Sequence, residues 1–507
     1  VFPAGGGDWI RAPEDRDPRG GPMPHYKYER LGAQDAAFLI FESTTVHTHV
    51  AGTLIFELGP LKTEDGGVDI AAITKATEAV LHLIPRYRQK LAWIPVFNHP
   101  VWVDDRDFNL DYHIRHSSLP RPGGVDQLKR LSARIMSMPL DRARPLWETW
   151  VVEGLEGDRF AMITKVHHCM LDGEAGADLA QILLSPDPNH RLSEDVPAYF
   201  PRPAPTALEL FRGELTQRAS LPLHALRSFR HFSRETENLR DEIALRARAV
   251  GALVGWAVRP PSETPVNGPL GPHRNFDWIS MPLDDVKAVR KGLGCTVNDV
   301  VLATVAGAVR NFLIRRRVRP DEIDFRVSAP VSVRREEEKG KLGNRVSSWI
   351  VRLPLDEKDP RKRLEAIRAV TQDLKSSKQA LGVEMMMAVA EWTPGILLSL
   401  GSRAASGPIN MIVTNVPGPQ FPLYMLGAKL LESFPQVPLL QGTGIGVALF
   451  SYDGHIFWGF NSDYGMVPDL EDFRRAVEDS FRELSEAAGV GAEGADIHEL
   501  HPEPKTG

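Results

Sequence analysis

The chain has 507 residues, 42% hydrophobic, 25% charged and 8% aromatic, an ordinary globular composition with room for roughly two to four domains. Sixty basic against 66 acidic residues leave a net charge of -6, which argues against a nucleic-acid binder built on a basic surface. Two distant cysteines, Cys169 and Cys295, offer neither a disulfide framework nor a Cys-x-x-Cys metal or redox pair, and a reducing cytosol is expected.

Residues 1–23 are rich in Gly, Pro and charge and lack the apolar core of a signal peptide, so a disordered extension is expected there. No apolar run near the length of a membrane span stands out; Ala249–Val258 is the most suggestive stretch and is too short. Structured patterning begins at Tyr28. β-Branched and aromatic residues predict a strand over Thr48–Leu58. Ile73, Ala76, Val80 and Ile84 recur at helical spacing and predict one helix over 69–91. A short helix is expected at 125–137, strands at 147–153 and 159–166, and a helix over 173–184 opened by Gly173.

Six prolines between Pro186 and Pro205 rule out regular structure there. Helices are predicted at 207–233 and 236–258, carrying arginine without lysine, and a second proline cluster spans Pro260–Pro272. Nine arginines and six acids lie between Leu208 and Arg259, interspersed with large apolar residues. That pattern suits either an anionic membrane surface or two helices packed on the protein body. Mixed α/β patterning resumes and ends in a helix at 469–487. The outline is an α/β chain in two halves, 24–186 and 270–490, with a helical connector at 187–269 and a polar tail at 491–507.

The strongest chemical signal is His167-His168-Cys169-Met170-Leu171-Asp172-Gly173. Neighbouring side chains at a strand end point to opposite faces, so one histidine can meet a cleft while the other meets the protein body. Asp172-Gly173 forms a tight turn in which the carboxylate can orient a histidine or pair with an arginine, Arg334 being one candidate. An imidazole titrates near neutrality and suits base catalysis on an alcohol. Paired histidines that only fill a core and cap a helix are the structural alternative. There is no Gly-x-Ser-x-Gly elbow, Walker loop, His-Glu-x-x-His or Gly-x-Gly-x-x-Gly, and no metal set is predicted.

This heptapeptide resembles the HHxxxDG signature of the coenzyme A-dependent acyltransferase superfamily. Further blocks resemble bacterial wax ester synthase/diacylglycerol acyltransferases: PLDRARPLWETWVVEGL (139–155), TPVNGPLGPHRNF (264–276), TVNDVVLATVAGAVR (296–310), APVSVR (329–334), LGNRVS (342–347) and TNVPGP (414–419). Val266 departs from the leucine commoner before Asn-Gly, and Cys169 and Met170 fill variable positions.

The resemblance implies two chloramphenicol-acetyltransferase-like domains, each a β-sheet flanked by helices, with a tunnel between them. It implies His168 as general base, His167 and Asp172 as supports, and Gly173, Pro145, Leu146, Trp147, Asn298 and Asp299 as substrate-binding or site-bracing residues. Pro145-Leu146-Trp147 reads first as a loop packed on the core, and Asp299, three residues after Thr296, first as a helix cap. Cys169 reads as a small buried residue, since the implied transfer needs no acyl-enzyme. The implied reaction moves a long acyl group from acyl-CoA, a co-substrate, to diacylglycerol or a fatty alcohol, without a cofactor. Peripheral attachment at an inner membrane or lipid droplet is expected. The alternatives are a condensation-type enzyme using carrier-protein thioesters and a catalytically degenerate lipid-binding protein.

Overall fold

A computed structural model describes residues 28–170, 182–190, 196–216, 218, 261–332, 346–376 and 409–490. The first half opens with β1 (Glu29–Arg30), α1 (Ala33–Phe41), β2 (His49–Glu57), α2 (Ile70–Val80), β3 (Gln89–Ile94) and β4 (His99–Asp104). It continues through α3 (Leu110–His113), β5 (Ile114–Ser118), α4 (Val125–Ser137), β6 (Trp147–Leu155) and β7 (Arg159–His167). The second half runs β8 (Arg274–Pro282), α5 (Leu283–Leu293), α6 (Val297–Arg315), β9 (Phe325–Ser332), β10 (Val346–Leu353) and α7 (Pro360–Ser376). Then come β11 (Met411–Pro417), β12 (Tyr424–Met425), β13 (Ala428–Gln436), β14 (Ile445–Tyr452), β15 (His455–Asp463) and α8 (Leu470–Ala488).

Two predicted elements need correction. The helix expected over 69–91 stops at Val80, passes through two 3-10 turns and gives way to β3 at Gln89. Asp69 caps its start by accepting the Ala72 N–H, and Ile73, Ala76 and Val80 form the buried stripe. Pro85 cannot donate to a helical ladder, so the apolar spacing that reaches Ile84 does not carry the helix with it. The second correction concerns membrane spans. By length and composition α6 passes the test for a spanning helix, yet 14 of its 19 residues are buried within the protein. It is the core helix of the second half, under α5, α7 and α8. Of the predicted connector helices, residues 207–216 and Arg218 are helical, and the rest lies outside the described residues.

Both halves form mixed six-stranded sheets. The first has the order β12-β13-β2-β7-β6-β5 and the second β10-β9-β11-β14-β15-β8; β1, β4 and β3 make a small third sheet. Strands β12 and β13 come from the second half of the sequence but extend the first sheet, with Gln436 paired to Ala51 and Phe434 to Thr53. This crossing ties the two lobes. Phe434, 2% exposed, stacks on Trp278 at 4.5 Å and meets Phe457 edge-on at 5.3 Å. Burying such a ring contributes roughly 1.5–3 kcal/mol. Ser132 of α4 bonds both Thr53 of β2 and Gln436 of β13, each at 2.7 Å. Lys129 of α4 pairs with Asp277 of β8 at 2.6 Å.

The crossing also sets a steric demand. β13 passes so close over β15 that a Cβ on Gly459 would fall inside the Pro435 carbonyl, so only glycine fits. Gly459→Ala is expected to cost about 1–3 kcal/mol or more through overpacking. Thermal denaturation should show one transition at a lower Tm; an unchanged Tm would mean that the close approach carries no weight.

Candidate active site

Strand pairing brings the site together. β2 and β7 are antiparallel with His49 directly opposite His167, the last residue of β7. The chain then turns through a 3-10 segment, His168–Met170. The His168 N–H continues the ladder to the Thr48 carbonyl at 2.9 Å. Strand alternation followed by this turn separates the two rings. His167 is 1% exposed, whereas His168 keeps part of its surface open.

The His168 ring lies flat on Phe38 of α1, with centroids 3.8 Å apart and planes 18° from parallel. Burial lowers its pKa to about 4; contact with its own backbone opposes the shift, and the neighbouring His167 adds to it. The imidazole is therefore neutral at physiological pH, the form that can take up a proton.

His167 has fixed partners on both nitrogens. Its Nδ1 accepts the Cys169 N–H at 3.1 Å. The proton is therefore on Nε2, which lies 3.2 Å from both Glu42 Oε1 and Thr48 Oγ1. The Thr48 hydroxyl donates to the Phe38 carbonyl at 3.0 Å, leaving its oxygen to accept from His167. Glu42 terminates α1 and accepts from Thr48 N–H at 3.0 Å and Arg142 at 2.5 Å, with His49 Nε2 3.5 Å away. Burial alone would raise its pKa, but the hydrogen bonds from His167 and Arg142, with the positive field around the carboxylate, hold it well below the usual carboxylate range. Burial and Lys165 push His49 well below the usual histidine value.

Glu42, His49 and His167 also place ligand-type atoms within 4.8 Å of one another, the only such trio among the described residues. The hydrogen bonding does not suit a cation. His167 presents Nε2–H toward the cluster because Nδ1 is engaged by Cys169, and Arg142 already neutralises the carboxylate. The set is a hydrogen-bonded brace.

Pro145, Leu146 and Trp147 lie just behind His167. The Leu146 carbonyl accepts the His167 N–H at 2.9 Å, and Trp147 opens β6 opposite Val166. Trp147 is 1% exposed, donates to the Tyr87 carbonyl at 2.8 Å and stacks on His113 at 4.5 Å. These contacts brace the histidine strand from the core side. Asp299 forms a reciprocal cap with Thr296, accepting its N–H and hydroxyl at 2.9 and 2.7 Å. It also accepts the Thr371 hydroxyl of α7 at 2.9 Å. Asn298 accepts from Asn415 of β11 at 2.7 Å, joining two blocks remote in sequence. Among the described residues no hydrogen bond or ion pair joins Asn298 or Asp299 to either histidine. Asp172, Gly173 and Arg334 lie outside the described residues.

Glu42, Thr48, His49 and Phe38 were not singled out from the sequence. Their only signal is the register of β2 on β7, which no local spacing reveals. An open groove of about 750 Å³ lined by Leu119, Arg121, Glu156 and Arg159 lies at the far end of β7 from the histidines. Nine strand residues separate the two ends, about 30 Å.

The comparisons with known proteins agree with one another. Residues 31–301 match the model of the wax ester synthase/diacylglycerol acyltransferase catalytic domain, and 342–485 that of the WS/DGAT C-terminal domain. A Mycobacterium tuberculosis protein named "Probable diacyglycerol O-acyltransferase tgs1" is 32% identical over 469 residues, covering 90% of this chain and 95% of its own. A second, named for tgs2, is 32% identical over 465 residues, covering 90% and 98%. The solved wax ester synthase/diacylglycerol acyltransferase from Marinobacter aquaeolei VT8 aligns with TM-score 0.64 at 23% identity, covering 91% of this chain and all of that one. The first condensation domain of the calcium-dependent antibiotic synthetase shares the fold at TM-score 0.55 and 15% identity, covering 94% and 99%. The α/β fold of two sheet-and-helix domains is that of these structures.

Cys169 is fully buried, and burial raises its thiol pKa well above the ordinary value. Cys295 is only partly buried. Iodoacetamide on the folded protein should label Cys295 and spare Cys169, read by peptide mass spectrometry; fast labelling of Cys169 would mark it as a reactive thiol.

Proposed function

Because this chain belongs to the wax ester synthase/diacylglycerol acyltransferase family and is an acyltransferase, we propose that it carries a long acyl group from acyl-CoA to the hydroxyl of diacylglycerol or a fatty alcohol. His168 is the general base. The observation that carries this reading is the neutral, partly open His168 ring, held flat on Phe38 at the end of β7.

The steps follow from that imidazole. It removes the alcohol proton as the oxygen attacks the thioester carbonyl, forming a tetrahedral oxyanion. Collapse breaks the carbon–sulfur bond, and the imidazolium returns its proton to the departing thiolate, so ester and free coenzyme A leave together. A positioned base of this kind contributes about 10²- to 10⁴-fold. The inert setting of Cys169 favours direct transfer over an acyl-enzyme. The reaction is written with acyl-CoA as co-substrate and without a cofactor. Diacylglycerol and fatty alcohols reside in lipid, so the proposed place of action is the periphery of a membrane or lipid droplet from the cytoplasmic side. The arginine-rich connector is the proposed contact, and most of it lies outside the described residues.

The test is product formation from palmitoyl-CoA with either diacylglycerol or hexadecanol. His168→Ala should lower turnover by about 10²- to 10⁴-fold; a variant that keeps most of its activity would remove His168 from the base role. Release of coenzyme A with carrier-protein thioesters and none with lipid alcohols would instead indicate condensation-type chemistry. The pH dependence is a separate check. Only neutral His168 accepts a proton, and its pKa is lowered to about 4. The acid limb of kcat/KM should therefore fall with an apparent pKa near 4, and activity should be level from about pH 6 upward if no other group intervenes. An acid limb centred at the ordinary histidine value would contradict this environment.

A further inference from the structure

We infer that Glu42 is a positioning residue for the transfer, fixing the tautomer of His167 and through it the turn that presents His168. The inference rests on the base role proposed for His168 and extends it to a carboxylate at the end of α1, beside the His49–His167 end of the first sheet's ladder.

The chain of contacts is closed at every link. Glu42 Oε1 lies 3.2 Å from His167 Nε2, so the proton sits on that nitrogen and Nδ1 is left as an acceptor. Nδ1 then takes the Cys169 N–H at 3.1 Å, one residue beyond His168. That bond pins the 3-10 turn on its far side, while the Thr48 carbonyl holds the His168 N–H on its near side at 2.9 Å. The His168 ring is thereby laid on Phe38. The carbonyl of Phe38 is in turn held by the Thr48 hydroxyl at 3.0 Å. Thr48 N–H returns to Glu42 Oε1 at 3.0 Å. One carboxylate thus fixes both the turn that bears the ring and the α1 surface on which it rests.

The opposite tautomer would place a proton on His167 Nδ1, facing the Cys169 N–H. Two donors would then meet, and the turn would lose its anchor. An anion at Glu42 makes that state unfavourable. The carboxylate accepts from Thr48 N–H, Arg142 and His167. Glutamine at 42 offers one acceptor oxygen in place of two, and its amide hydrogens must face a donor. Alanine removes the acceptor entirely.

Glu42→Ala and Glu42→Gln, prepared beside His168→Ala, test the assignment in full-length protein. With palmitoyl-CoA and hexadecanol, kcat should fall by about 10-fold or more, short of the roughly 10²- to 10⁴-fold loss expected on removing the base itself. KM for palmitoyl-CoA should stay within about two-fold, since a positioning role acts on the chemical step. Nitrogen-15 histidine spectra should show His167 protonated on Nε2 alone in the parent and in His168→Ala, and mixed between nitrogens in both Glu42 variants. Circular dichroism melting identifies the folded variants, and Glu42→Gln decides alone if the alanine variant does not fold. A folded Glu42 variant with parental kcat, or with His167 still purely in the Nε2–H form, overturns the proposal. If His168→Ala keeps its activity while the His167 tautomer responds to Glu42 as expected, the base assignment fails and the tautomer control stands.

Discussion

The site depends on the register of β2 against β7. Placing His49 opposite His167 sets the end of one strand beside the start of the other, and Glu42, just beyond the end of α1, then falls among donors from both. A slip of one residue would turn His167 to the other face of the sheet. The buried carboxylate raises the stakes of that register. An ionised group taken from water is costly unless it is paired and hydrogen-bonded, and only this pairing supplies Arg142, Thr48 and His167 together. The same geometry that completes the hydrogen bonding of Glu42 therefore orients His167 and the turn that carries the proposed base. Stability and chemistry share one set of contacts.

The family blocks were legible because they are local. The His167–Gly173 heptapeptide, Pro145–Trp147 and the Asn298–Asp299 pair could be read from their resemblance to the family's blocks. For Asp299 the reading as a helix cap is visible in the structure as a reciprocal bond with Thr296. What the sequence hid was non-local. Glu42 and His49 carry no motif, and their value comes from strands far apart in the chain. β13 gave no sign that it would leave its own half and join the first sheet, because pairing partners are not encoded in periodicity. The overlong helix at 69–91 arose from following apolar spacing through Pro85. Asn298, Asp299 and Arg310 interrupt the apolar run of α6. Its burial under three other helices is a tertiary fact.

Neutrality is the second theme of the site. Burial above all keeps His168 unprotonated. In the proposed role, a base made weak in this way is always available but pulls less strongly on a proton. The tight hold on its ring compensates by fixing where the lone pair points, and orientation is an effect that enzymes exploit at least as much as basicity. The rings of Phe38 and His168 in face-to-face contact are the visible part of that hold.

The crossing strand has a consequence for how this protein comes into being. Ala51 near the beginning of the chain pairs with Gln436 near its end, so the first sheet cannot finish while the ribosome is still translating the second half. Until then β2 presents an open edge, a surface on which nascent strands of other chains can dock. Contacts this distant along the chain slow folding, because a long loop must close before they form. The order of synthesis therefore leaves β2 open longest on the side away from β7, and that edge needs shielding until the last strands arrive.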